Sequence, residues 1–149
     1  MRKILVGAGI VIAGAVLAHL HAVSQSYHPT VKVLAPEGVT FLAIQDPTQE
    51  RQACGAANQR FIGPLKEHCK DCQIIWARCE RAITGNEEAA LLKGEPSESY
   101  LVLAPGLRLA ISGPVEAAKT SCDYLVGTLT KQGLRSAACI YPRAASSRM

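Results

Sequence analysis

The chain has 149 residues, enough for one domain and an appendage. With 48% hydrophobic and 19% charged residues, it is neither a disordered acidic tail nor a low-complexity chain. Aromatic residues make up only 5%, which argues against a stacking platform for single strands; the net charge of +4 falls to 14 bases against 12 acids once Arg2 and Lys3 are set aside, which argues against nucleic-acid binding by the domain as a whole.

Met1-Arg2-Lys3 is followed by an apolar run over residues 4–20 with no acid and one polar residue, His19. A basic start followed by a hydrophobic segment is the pattern of an export signal. Two positive charges on the short side keep the N-terminus in the cytoplasm and send the rest across. Residues 1–23 therefore read as a signal-anchor transmembrane helix or as a signal peptide. The run of 17 residues is just long enough to span a bilayer, and Ala22-Val23-Ser24 offers a small-x-small cleavage site. The two resulting locations are an inner-membrane, single-pass protein with its C-terminal domain in the periplasm or outside, or a protein secreted after cleavage near Ser24. The Gly7, Gly9 and Ile12 positions superficially suggest a dinucleotide-binding turn. That reading fails because the third glycine is Ile12 and the first acid is Glu37, beyond His28-Pro29.

Residues 24–37 read as a tether ending in a short extended piece, Val31-Lys32-Val33-Leu34. A disulfide-stapled α+β domain is expected over 38–142 and a disordered basic tail over 143–149. Residues 39–45 form a β-branched, apolar strand. Asp46-Pro47-Thr48-Gln49 then predicts a helix start, with Asp46 as cap, Pro47 at the first position and Gln49 completing a capping box. Cys54, Ala57, Phe61, Leu65 and His68 recur at helical spacing, and Gly63-Pro64 predicts a kink. Residues 73–79 form the second strand, on which Trp76 alternates with Ile74 as a core or interface residue.

A short helix begins at Asn86 and ends at Gly94. Residues 100–104 and 107–111 face each other as a hairpin across Pro105-Gly106. Pro114 opens the second long helix, with Val115, Ala118, Cys122, Leu125 and Leu129 on one face and Gly133 as its stop. A last strand spans 136–141. The order predicts a ferredoxin-like split β-α-β two-layer sandwich with an extra hairpin strand, preceded by an N-terminal hydrophobic helix. Both long helices should cover one face and leave the other free. Beyond a weak twofold echo of the two β-α-β halves, no internal repeat is apparent.

All six cysteines lie beyond residue 53, and an even count in an exported chain reads as a disulfide set. Cys54 and Cys122 fall on the apolar stripes of their helices. Each helix runs opposite to the strand that follows it, so its beginning meets that strand's far part. This pairs Cys54 with Cys79, Cys122 with Cys139, and Cys69 with Cys72.

Cys69-Lys70-Asp71-Cys72 is the sharpest chemical motif. Redox C-x-x-C motifs open a helix, where the positive pole stabilises a thiolate, whereas this one closes a helix. His68, Cys69, Cys72 and Cys79 also compose a Cys₃His set for zinc or copper(I), although a second closely spaced pair is missing. Hydrolase signatures are missing too: there is no G-x-S-x-G and no H-E-x-x-H. His19, His21 and His28 fall in the leader or tether, leaving His68 as the domain's histidine. Lys131, Arg135 and Arg143 belong to a C-terminal region with no acid after Asp123, a candidate anion contact.

The expectation is a non-catalytic accessory or partner-binding subunit of a cell-envelope complex, with no cofactor. It meets the membrane through its N-terminal helix and binds a protein partner. The alternative is a thiol–disulfide or metal-handling protein built on Cys69 and Cys72.

Overall fold

A computed structural model describes residues 26–95 and 97–143. The signal-anchor segment, the first part of the tether and the tail beyond Arg143 lie outside the described residues. Among those described, no helix is long and apolar enough to cross a membrane. The domain is α+β: a six-stranded antiparallel sheet with three helices. In chain order the elements are β1 (His28–Leu34), β2 (Thr40–Gln45), α1 (Arg51–His68), β3 (Gln73–Glu80), α2 (Asn86–Lys93), β4 (Tyr100–Ala104), β5 (Leu107–Ser112), α3 (Val115–Lys131) and β6 (Ala138–Ile140).

The sheet order is β3-β1-β2-β5-β4-β6. The extended piece assigned to the tether is thus an interior strand. β1 pairs with β2 from Thr30–Ile44 to Leu34–Thr40 and with β3 on its other side. Val31 and Val33 are buried beneath α1, and this burial outweighs the interruption by Lys32 in so short an apolar run. Two split β-α-β crossovers are present: β2-α1-β3 around β1, and β5-α3-β6 around β4. A ferredoxin-like sheet interleaves its two crossovers. Here each is filled by the strand that precedes it, so the halves lie side by side and meet at the β2–β5 pair.

Each half is therefore a β-β-α-β unit, and the sequence carries the duplication. Val33-Leu34-Ala35-Pro36 turns at Gly38, and Val102-Leu103-Ala104-Pro105 turns at Gly106. One spacing separates Gly38 from Gly106, Phe41 from Leu109, Cys54 from Cys122 and Phe61 from Leu129. The first turn holds one extra residue, Glu37, at φ 67°. That insertion shifts the register and hides the repeat from a reading by strand patterns alone.

The long helices share one face. α1 packs on β1 and β3, and α3 on β4, β5 and β6. α2 lies on the other face, where Leu91 is fully buried against Leu42, Ile44, Leu101 and Ala110. The expected two layers are three over the middle of the sheet. The reason was already present in the strands: Leu42-Ala43-Ile44 and Tyr100-Leu101-Val102 are apolar on successive positions, so both faces need cover.

Two helix starts differ from expectation. α1 begins at Arg51 with Glu50 as N-cap. Asp46–Gln49 stays outside the helix because Thr48 exchanges both backbone hydrogen bonds with Tyr27, at 2.7 and 2.8 Å. Val115 opens α3 but is 65% exposed, off the buried stripe of Ala118 and Cys122. α1 continues through Pro64, which sits on an exposed turn near its end.

Candidate functional site

The structure joins Cys54 to Cys79, Cys69 to Cys72 and Cys122 to Cys139, with Cα separations of 6.0, 5.4 and 5.9 Å. Sequence reasoning pairs the six cysteines in the same way. The bridges differ in setting. Cys54 and Cys122 are fully buried under their helices, and each ties its helix to an outer strand, β3 or β6. Cys69–Cys72 closes the turn between α1 and β3 and is half-buried.

This arrangement divides the candidate metal set. Cys79 lies near the far end of β3 from Cys72 and is bonded to Cys54, while His68 is exposed at the end of α1. Among the described residues, no group of three or more His, Cys, Asp or Glu is placed to hold a metal. Lys131 ends α3, Arg135 lies in the following turn, and Arg143 lies beyond β6; all three are exposed. The Arg143 backbone N–H donates to the Ser97 carbonyl at 3.2 Å, so the chain remains attached to the domain there.

Sequence reasoning missed three features. His28 is not in a free tether: it opens β1 and is half-buried, and its Nδ1 has no hydrogen-bond partner among the described residues. Asn58 is buried on α1, donating to the Arg78 carbonyl at 2.9 Å and accepting from Gln45 at 3.4 Å. Its helical position between Cys54 and Ile62 was the available signal. Trp76 and Ile74 do not share a face. A β-bulge at Ile75 lets Val33 pair with Ile74 and Lys32 with Trp76. Ile74 therefore packs under α1 while Trp76 packs on the α2 side, with the Arg78 guanidinium 4.4 Å from its ring centroid.

A concave feature of uniformly apolar chemistry lies between α1 and α3. It is a cavity of about 200 Å³ over the junction of the two halves. Phe41, Leu107 and Leu109 form its floor with Val33, and Phe61, Leu65, Leu125 and Leu129 form its walls. No lining residue has a polar side chain. Phe41 and Leu109 occupy corresponding places in the two halves, as do Phe61 and Leu129, so the cavity straddles the duplication. On the opposite face a polar recess is bordered by Glu87, Glu98 and Ser112, and the Ser99 hydroxyl donates to Glu87 at 3.0 Å.

The chain matches no protein-family model, no curated protein and no solved structure.

Proposed function

We propose that this is an extracytoplasmic binding domain without catalytic activity of its own. The apolar leader delivers it across a membrane, and it serves as an accessory subunit of an envelope complex. The observation that carries this reading is the engagement of all six cysteines in three disulfides, two of which tie the long helices to the outer strands. Such a set forms and persists in oxidising surroundings, and a structural bridge of this kind fixes a shape rather than supplying a reactive group. The basic-then-apolar start of the chain supports the same compartment.

The test is intact mass with and without reductant on protein recovered from cell fractions. The expected result is a membrane or extracytoplasmic fraction in which reduction adds six hydrogens. Six free thiols in a cytosolic fraction would overturn the reading. The half-buried setting of Cys69–Cys72 favours a second reading, thiol–disulfide exchange. That reading requires turnover of insulin disulfides that Cys69→Ser abolishes.

A further inference from the structure

We propose that the cavity between α1 and α3 is a binding site for the end of a fatty acyl chain. The proposal extends the binding reading above by naming a ligand class, but it rests on the geometry of the cavity and not on the route by which the chain leaves the cytoplasm.

The cavity chemistry selects the ligand. Phe61 and Leu129 face the gap from the two helices, with Phe41 and Leu109 beneath them, and none can donate or accept a hydrogen bond. A polar ligand would lose its hydration without replacement, and water has no partner there. At about 200 Å³ the space is comparable to the ~150 Å³ apolar cavities that stay dry and take up benzene. A hydrocarbon tail fits, and any polar head must remain outside. On the two helices, the exposed charged residues within two positions of a lining residue in sequence are Arg60, Lys66 and Lys131, against Glu67 and Asp123. This excess of bases suits an anionic head, either a carboxylate or a phosphate.

The covalent structure explains why the gap stays open. Cys54–Cys79 holds α1 toward β3, and Cys122–Cys139 holds α3 toward β6. β3 and β6 are the two edges of the sheet, so both bridges draw the helices away from the central β2–β5 pair. A close-packed interior would normally collapse such a space. Here two bridges, which start from helix cysteines at corresponding positions of the duplicated halves, oppose the collapse. The site is therefore preformed, and a ligand binds without first separating the helices.

The test uses the full-length chain with its disulfides intact and decanoic acid carrying a diazirine near its methyl end. After irradiation, labelled peptides are mapped by mass spectrometry. The expected label falls on the α1 peptide with Phe61 and Leu65 and the α3 peptide with Leu125 and Leu129. Excess unlabelled n-decane should displace it at least tenfold. Labelling of residues 4–20 provides an internal reference that neither competition nor cavity substitution should change as much. Leu129→Trp, or Leu125→Phe as a second filling variant, should reduce cavity labelling at least tenfold. Competition by decanoate and by dihexanoylphosphatidic acid separates a free fatty acid from an anionic phospholipid as the source. Label confined to the leader, or cavity label that n-decane does not displace in the wild-type chain, would overturn the proposal. Neither result would bear on the compartment, which the thiol and fractionation measurements decide separately.

Discussion

Asn58 in the middle of α1 donates its side-chain amide to the backbone carbonyl of Arg78 in β3 at 2.9 Å. It is one of few polar side chains in the interior, 3% exposed, and lies one helical turn beyond Cys54. The hydrogen bond and the Cys54–Cys79 bridge therefore fasten the same helix to the same strand at adjacent points. Removing the amide leaves the Arg78 carbonyl without this partner. Asn58→Ala should cost about 1–3 kcal/mol in guanidinium unfolding of the oxidised protein. A cost below about 0.5 kcal/mol would show that the carbonyl is satisfied in another way.

Gly113 follows β5 and lies against the turn between β1 and β2. Its φ is 133°, and a Cβ there would stand 2.7 Å from the Gly38 carbonyl oxygen. Backbone faces backbone, so no side chain can move aside. Gly113→Ala should destabilise the domain by at least about 2 kcal/mol through strain and clash together. Gly127, inside α3, provides the contrast, because a Cβ there meets nothing within 4 Å. Gly127→Ala should stabilise the helix by about 0.5–1 kcal/mol. Urea unfolding of the two variants side by side measures both effects.

The three bridges should differ in their effect on stability. They close sequence separations of 25, 17 and 3 residues for Cys54–Cys79, Cys122–Cys139 and Cys69–Cys72. Loop-closure entropy assigns about 3.5, 3.2 and 2 kcal/mol to them. Paired Cys→Ala replacements should follow that order in thermal unfolding, with Cys69→Ala/Cys72→Ala the mildest. Reversal of the order would mean that the small corner bridge supports structure beyond its own turn.

The bulge in β3 separates two neighbours by environment. Ile75 is 50% exposed, while Trp76 packs against the cluster around Leu91. Ile75→Ser should change stability by no more than about 0.5 kcal/mol, whereas Trp76→Ala should cost about 2–4 kcal/mol. Chemical denaturation of both variants checks the contrast. Equal costs would argue that the bulge is absent in solution and that the strand alternates without a break.

Much of the fold follows from local patterns. The strand at Thr40–Gln45, the hairpin across Pro105-Gly106, the short helix ending at Gly94 and both long helices lie close to where periodicity and turn residues put them. The disulfide partners were legible as well, because a helix that runs back along its following strand leaves few choices for cysteines on its buried stripe. The start of α1 was not legible. Asp46-Pro47-Thr48-Gln49 has the composition of a helix cap, but Thr48 is committed to a bridge with Tyr27, more than twenty residues earlier.

The amino-acid sequence alone determined the elements and the cysteine partners, since both depend on short-range spacing and on the direction of neighbouring segments. Only the tertiary structure decided that β1 lies inside the sheet, that α2 covers the second face, and that two β-β-α-β halves meet at an apolar cavity. Those outcomes depend on which surfaces are buried against which others. Val31 and Val33 make an interior strand because α1 lies over them, and Phe61 and Leu129 line a cavity because their helices are bonded to opposite edges of the sheet. No local pattern encodes a distance between two helices that never follow one another in the chain.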